Sequence, residues 1–368
     1  MINNKWALVL GLGASLAFSA CKKDKTYEVP TSYNFTNVSY SGQTNRLAML
    51  KEMTSYMKSA HHKDTTALDA QKLKDMYANT NNRFDEASLN TNGKDLKSKT
   101  YPGMDEKFEL YMDSLVAASQ HTNKIAANGQ PGIGTSGTST YLYNSKGFEI
   151  TQLIEKGLGG ACFYYQATAV YMGDGKMNVD NETVTDGKGT TMEHHWDEMF
   201  GYFGVPTDFP TNTSDVYMWG KYCNSRDGVL GLNQKMMDAI IKGRAAISNK
   251  DLDTRDAQII ELRKYWQQIP AATAIHYLND AKGSIASGDE AKKLHQLSEA
   301  YTFIMDLKYG AGGSSITEAQ VDGILSGLAG SADPLQANLH TVTETTINGA
   351  IDVIAGYISD LEAHKGSL

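Results

Sequence analysis

The sequence predicts an all-α protein, built as an up-and-down helical bundle or bundles with long irregular loops. Three observations support this fold class. Apolar residues recur at helical spacing through most of the chain, four segments begin with an S/T-x-x-E capping box, and strand signals are sparse. The two best strand candidates are short, Tyr141–Tyr143 and Val216–Trp219. Helices with one apolar face bury that face best against each other, so bundled helices are the expected architecture.

The chain begins with the pattern of a lipoprotein signal peptide over residues 1–20. Lys5 supplies the positive charge, and the apolar run of residues 6–18 is too short to span a bilayer. The small pair Ser19-Ala20 directly precedes Cys21. A small-residue site that ends at a cysteine predicts a lipid on Cys21, with an ordinary cleaved signal peptide as the alternative.

Lipidated Cys21 and a polar tether are predicted for residues 21–34, and the helical domain for residues 35–368, as one bundle or two packed bundles. The lipid would hold the protein to a membrane, as an outer-membrane or cell-surface lipoprotein of a Gram-negative-type bacterium. A net charge of −8 without a basic cluster gives no support for nucleic-acid binding. Cys162 and Cys223 could pair in an oxidising compartment, although their spacing does not establish a disulfide.

The helices follow in order along the domain. Thr44 is the expected N-cap of the first, which places Leu47, Leu50 and Met53 on one side. A long helix is predicted over Phe148–Met172, with three glycines in its middle. Because glycine weakens a helix, either a neighbouring helix approaches closely there or the helix breaks locally. Four capping boxes open later helices, at Thr190…Glu193, Ser287…Glu290, Ser315…Glu318 and Thr341…Glu344.

Two histidine–carboxylate pairs lie in the sequence EHHWDE, residues 193–198. His195 and Glu198 are three residues apart, which places them on one helix face with Cβ atoms about 5–6 Å apart. An imidazole and a carboxylate aimed at one point suit a metal ion or an acid–base pair. His194 and Asp197 lie about 100° round the helix and are expected to form an exposed pair. The preceding Glu193 is explained by its capping box.

Three further residues could complete a metal site. His295 and Glu299 are four residues apart on one predicted helix, and His276 lies late in the helix before it. Two helices joined by a short turn are usually antiparallel neighbours, so these residues could meet at one height between them. Histidine and carboxylate ligands between facing helices suit zinc, iron or copper. The zinc-enzyme signatures H-E-x-x-H and H-x-x-E-H are absent.

Four phrases of the sequence carry a family resemblance: YSGQTNRL (40–47), EHHWDEMFGYFG (193–204), RKYWQQIPAATAIHYLN (263–279) and HQLSEAYTFIM (295–305). They resemble the imelysin-like family, in a divergent branch similar to uncharacterised envelope lipoproteins that carry domain of unknown function 4856. Imelysin-like proteins are helical bundles with a G-x-H-x-x-E motif near the contact between bundles. By position the motif histidine is His195 and the acid is Glu198, while Glu193 replaces the glycine.

The resemblance implies a role in metal handling, because some members of the family belong to iron-uptake systems and others were described as peptidases. The leading hypothesis is an envelope lipoprotein that binds a transition metal, iron or zinc, without catalysis, and passes it to a metal-uptake partner protein. Its core ligands would be His195 and Glu198, and His276, His295 and Glu299 are additional candidates. The alternatives are a metallopeptidase with Glu198 as the base, and a structural or interaction lipoprotein without a metal.

Overall fold

The computed structural model describes residues 26–310 and 315–368. The predicted signal peptide and Cys21 lie outside these residues. None of the helices within the described ranges is long and apolar enough to cross a membrane. The buried apolar side chains of the described residues form one connected core, in which Trp196, Trp219 and Trp266 are fully buried.

The predicted all-α class is confirmed, since thirteen α-helices and one two-stranded hairpin make up the regular structure of the described residues, with short 3₁₀ and π segments. The α-helices are α1 (Ser41–Lys58), α2 (Ala70–Ala78), α3 (Ala87–Thr91), α4 (Asp105–Ser119), α5 (Ile150–Leu158), α6 (Asp174–Met177), α7 (Thr191–Phe203), α8 (Trp219–Leu230), α9 (Leu232–Ser248), α10 (Leu252–Ser287), α11 (Glu290–Asp306), α12 (Glu318–Ala329) and α13 (Glu344–Tyr357).

The 36-residue helix α10 is the centre of the packing. It makes its largest contacts with α9 and α11, and α11 in turn packs against α5. Only Gly288 and Asp289 separate α10 from α11, so the two helices run antiparallel, as expected from the short turn. Because α11 contacts both α10 and α5, polar side chains of these three helices can interact with one another.

One of the two predicted strands exists. Tyr141–Tyr143 lies within β2 (Ser139–Tyr143), which pairs antiparallel with β1 (Gly132–Ser136) so that Ile133 faces Leu142. The strand predicted at Val216–Trp219 is wrong, because Trp219 begins α8 and its fully buried ring donates a hydrogen bond to the carbonyl of Gly159. Core packing of one aromatic ring therefore outweighs the local strand preference.

The residue at which a helix begins depends on which of several neighbouring polar residues acts as its N-cap. The capping box at Thr190 and Glu193 is confirmed. The other three predicted boxes are wrong by two residues, and α1 begins after Tyr40 rather than at Thr44. Ser287 belongs to the end of α10, which left-handed Gly288 terminates. The observed caps are Asp289 for α11, Thr317 with Gln320 for α12, and Thr343 with Thr346 for α13.

The long predicted helix shows both of the outcomes expected from its glycines, a local break and a close approach by a neighbouring helix. After α5 the chain continues as two π-helical segments, Gly159–Tyr164 and Gln166–Tyr171. At Gly160 the approach is so close that a Cβ atom would lie 2.0 Å from Oδ1 of the buried Asp306 in α11. The absence of a side chain therefore allows α11 to pack directly against the first π-helical segment.

We expect Gly160→Ala to lower the free energy of unfolding by about 1–3 kcal/mol, because an added methyl group would overpack the contact with Asp306. The matched control is Gly323→Ala in α12, where a Cβ atom would meet nothing within 4 Å. The control should raise stability by about 0.5–1 kcal/mol through helix propensity. Urea unfolding followed by circular dichroism measures both changes, and equal stabilities would contradict the close approach.

Candidate functional site

Helix α7 carries the EHHWDE sequence and turns Glu193 and Asp197 toward α9. Glu193 closes the capping box with Thr190 and also accepts a hydrogen bond from Nη1 of Arg244 at 2.7 Å. Asp197 accepts a hydrogen bond from Nε of the same arginine at 2.9 Å. Arg244 is 1% exposed, so it joins α7 to α9 through a buried ion pair.

The predicted exposed pair of His194 and Asp197 is wrong. Asp197 is fully buried and also accepts a hydrogen bond from the Tyr33 hydroxyl at 2.5 Å. Burial raises the pKa of Asp197 to about 6, against the opposing effect of the Arg244 charge. Asp197 therefore contacts α9 inside the protein, as does its neighbour Trp196, whose indole N–H donates to the Ile240 carbonyl at 3.0 Å.

His195 is held by Lys176, which lies in α6. Its Nδ1–H donates to the Lys176 carbonyl at 2.9 Å, and its Nε2 faces the Lys176 ammonium at 3.2 Å. Burial, together with the charge of Lys176, lowers the pKa of His195, although the backbone hydrogen bond acts in the opposite direction. A neutral ring with Nε2 accepting from Lys176 satisfies both contacts, and a metal ion at Nε2 would have to displace that ammonium.

Glu198 is bound by other residues than His195. One of its carboxylate oxygens accepts hydrogen bonds from the Gln43 amide and the Tyr171 hydroxyl, both at 3.1 Å. The other oxygen lies 3.8 Å from Nε2 of His194, four residues earlier on the helix. The histidine within ion-pair distance of Glu198 is therefore His194, at i,i+4 spacing, and the two residues of the predicted core pair make separate contacts.

Of the three further candidate ligands, the structure brings His295 and Glu299 together but not His276. His295 and Glu299 lie on one face of α11, with Nε2 of His295 3.9 Å from a Glu299 oxygen. His276 on α10 instead lies 3.6 Å from Asp280, one turn along its own helix. His276 still interacts electrostatically with Glu299, so it flanks the pair rather than joining it.

The opposite side of the His295 ring contacts Glu149, which immediately precedes α5. Nδ1 of His295 lies 2.6 Å from Oε2 of Glu149, a carboxylate that is 1% exposed, and the imidazole stacks on the Tyr141 ring at 4.5 Å. Burial lowers the pKa of His295, but the hydrogen bond and charge of Glu149 outweigh it, so the net pKa is raised. Burial raises the pKa of Glu149, and the same contact lowers it more strongly. The two residues therefore form a buried ion pair.

Glu299 completes a buried polar cluster between α5 and α11. One of its oxygens lies 3.9 Å from the ammonium of Lys156, whose closer partner is Glu155 at 2.9 Å. The other oxygen, Oε2, is buried and makes no hydrogen bond of ordinary geometry among the described residues, although the Tyr277 hydroxyl of α10 interacts with the same carboxylate. The oxygen that faces His295 is the one that lies near the Lys156 ammonium, so a cation between His295 and Glu299 would have to compete with that charge.

Sequence reasoning did not single out three members of the cluster. Glu149 and Lys156 come from α5 and its start, and His61 follows α1, with its Nδ1 3.9 Å from Glu149 and its Nε2 2.9 Å from the Thr151 hydroxyl. The one available signal was the placement of Glu149, Glu155 and Lys156 within a segment of otherwise apolar character. Charged residues are almost never fully buried unless they are paired, so such residues indicate a buried network.

The described residues contain no group of three or more histidine, cysteine or acidic side chains arranged to hold a metal ion. Cys162 and Cys223 are both free and buried, so the disulfide that the sequence left open is not formed. Burial raises the pKa of the Cys162 thiol to about 12, which makes it a poor metal ligand. His295 and Glu299 are the two residues of this cluster that could contact a cation together.

The fold and the cluster define a helical protein with a buried histidine–carboxylate site between packed helices. The chain belongs to the family described as Domain of unknown function (DUF4856), whose model matches residues 25–355. A search of curated proteins and a search of solved structures gave no match. The family predicted from the sequence is thus confirmed, while the wider imelysin-like resemblance stays a prediction.

The pH dependence of the stability of an Arg244 variant tests the ion pair between α7 and α9. We expect Arg244→Met to cost about 3–5 kcal/mol at pH 8, because it leaves Asp197 as an uncompensated buried charge. The folded-state pKa of Asp197 lies above its unfolded value and rises further without Arg244, so the folded variant gains a proton as pH falls. The difference in unfolding free energy between the parent protein and the variant should therefore be smaller at pH 5 than at pH 8, by at least about 1 kcal/mol.

Denaturant unfolding at the two pH values measures this difference. The control is the double variant Arg244→Met with Asp197→Asn, which has no charge to neutralise and should lose the extra pH dependence. A difference between the parent protein and the single variant that is equal at pH 5 and pH 8 would show that Asp197 does not control it.

Proposed function

We propose that this protein is an envelope lipoprotein that binds a transition metal, most suitably iron or zinc, for uptake or hand-over, without catalysing a reaction. His295 and Glu299 would be the protein ligands, and Glu149 would orient His295. The observation that carries the proposal is the contact of His295 Nδ1 with the buried Glu149 carboxylate, while Nε2 faces Glu299.

This contact resembles the way in which proteins commonly prepare a histidine for a metal. A ligating histidine usually donates its second ring N–H to a carboxylate, which sets the ring orientation and raises the basicity of the ligating nitrogen. Glu149 supplies such a carboxylate at 2.6 Å, and stacking on Tyr141 further restricts the ring. The nitrogen left for the metal is Nε2, and the Glu299 carboxylate, one oxygen of which lies 3.9 Å from that nitrogen, would be the second donor.

The neighbouring charges oppose strong binding of a cation. The metal would replace a proton on His295 and would lie near the ammonium of Lys156, which already interacts with Glu299 at 3.9 Å. Together with the small number of protein ligands, this favours a site that exchanges its metal readily. A readily exchanged metal suits hand-over to a partner protein better than storage or catalysis.

The predicted ligands on α7 are left out of this proposal because of their contacts. Nε2 of His195 faces Lys176, and Glu198 is bound by Gln43 and Tyr171. His276, on α10, is kept only as a residue that flanks the site. The same contacts of Glu198 do not favour its use as the base of a metallopeptidase.

Metal titration of the purified full-length protein in detergent tests the site. We expect one equivalent of Zn²⁺ or, without oxygen, Fe²⁺ to bind in calorimetry and to remain with the protein in elemental analysis. His295→Ala and Glu299→Gln should each weaken binding by at least about tenfold, because each removes one of two ligands. His195→Ala is the matched control and should bind as the parent protein does.

Circular dichroism checks that each variant is folded. Absence of metal binding by the parent protein would overturn the proposal. So would equal binding by folded His295→Ala, and loss of binding in His195→Ala alone would move the site to α7.

Attachment to the membrane is tested separately at Cys21. Expressed in a bacterial host that processes lipoproteins and is fed a labelled fatty acid, the parent protein should carry the label and fractionate with membranes. Cys21→Ser should lose both properties, whereas the control Cys162→Ser, at a buried free cysteine, should keep the label. Labelling of Cys21→Ser at the parent level would contradict a lipid on this residue.

A further inference from the structure

A cleft between α4, α11 and α12 lies outside the cluster of His295 and Glu299. It has a volume of about 380 Å³, at the lower end of the range of small-molecule sites in proteins. Its walls are the segment that leads into α4 with the first turns of that helix, the end of α11 with the residues that follow it, and the start of α12 with the loop after it. Neither residue of the proposed metal site lines this cleft.

Tyrosine rings form the apolar part of the cleft. Tyr101 and Tyr309 both line it, and their ring centres are 5.2 Å apart. The ring of Tyr165 packs edge-on against Tyr101, with ring centres 5.0 Å apart. The backbone N–H of Tyr101 donates to the Ala161 carbonyl at 2.7 Å, which ties this segment to the first π-helical segment. Because packing and backbone already hold the Tyr101 ring, it loses little freedom when a ligand covers it.

Two tyrosine hydroxyls of the cleft lack a partner within the protein. Tyr111 and Tyr309 line the cleft and are 4% and 3% exposed, and neither hydroxyl makes a hydrogen bond to any residue of 26–310 or 315–368. A buried tyrosine hydroxyl usually has such a partner. The Tyr101 hydroxyl does have one, because it donates to the Glu318 carboxylate at 3.1 Å. A ligand with groups that both donate and accept would supply the missing partners.

The charged residues of the cleft favour a ligand without a net charge. The lining includes three carboxylates and two ammonium groups, which belong to Glu318, Asp322, Asp333, Lys107 and Lys308. Lys308 and Asp322 already form an ion pair with each other. The carboxylates would repel an anion, and the ammonium groups would oppose a cation. Hydrogen bonding remains, and carboxylate oxygens accept strongly from hydroxyl groups.

We propose that this cleft binds a neutral carbohydrate, with the C–H face of one sugar ring on Tyr101 and its hydroxyl groups hydrogen-bonded to Glu318 and to the two unpartnered tyrosine hydroxyls. A sugar ring has the three properties that the cleft selects, because it combines an apolar face, hydroxyl groups that donate and accept, and no charge. Binding breaks no covalent bond of the sugar. It does not depend on the proposed metal site.

A panel of neutral oligosaccharides tests the cleft with the full-length protein, purified in a detergent without a sugar head group. The panel contains oligomers of glucose, galactose, mannose, xylose and N-acetylglucosamine, and calorimetry measures the binding. We expect at least one of them to bind with a Kd below about 1 mM. Oligomers of glucosamine and of galacturonic acid, which carry positive and negative charges, should bind more weakly.

Two variants locate the bound sugar. Tyr101→Ala should weaken its binding by about 5–10-fold through loss of the ring contact, and Glu318→Gln by at least about tenfold through loss of a charged acceptor. The matched control is Tyr357→Ala, which removes a 38% exposed tyrosine of α13 that does not line the cleft. The control should bind as the parent protein does, and circular dichroism checks that all three variants are folded.

Three results would overturn the proposal. The first is absence of binding by every neutral oligosaccharide of the panel. The second is undiminished binding by folded Tyr101→Ala and Glu318→Gln, which would place the sugar elsewhere. The third is tighter binding of either charged oligomer than of any neutral one, which would show that the cleft selects a charge. Each of these results leaves the proposed metal site standing, because neither His295 nor Glu299 lines the cleft.

Discussion

The buried ion pairs between α5 and α11 are the constraint on which this structure depends. Glu149 contacts His295, and Lys156 lies between Glu155 and Glu299, all within a core that also contains the close approach at Gly160. Removing one partner of a buried pair leaves a charge that water cannot solvate, at a cost of about 3–5 kcal/mol. The two helices must therefore keep their relative positions, and these positions hold His295 and Glu299 of α11 against Glu149 and Lys156.

Helix α7 also places charged side chains inside the protein, against α9. Its inward acid Asp197 is paired with Arg244, and its outward residue His195 is held by Lys176. One helix thus uses adjacent residues of one motif for packing and for a polar surface, because successive residues point about 100° apart. The motif that dominates the sequence is accounted for mainly by contacts within the protein.

The positive charge near Glu299 bears on the proposed metal binding. The ammonium of Lys156 lies 3.9 Å from a Glu299 oxygen and would repel a bare cation held there. Such repulsion would limit the affinity for the ion and so favour its release. Under the proposal, uptake or hand-over suits this balance better than catalysis, which needs a stable resident ion.

Local patterns in the sequence were sufficient for the helical class, the cap at Thr190 and the strand at Tyr141–Tyr143, because helical period, capping and alternation act over a few residues. They also placed His295 and Glu299 on one helix face, since i,i+4 spacing is local. Only the tertiary structure decided that Asp197 is buried against Arg244 and that His295 contacts Glu149, 146 positions away. Those pairings depend on which helices meet and on how burial changes the cost of a charge, and neither is determined by the spacing of residues along one helix.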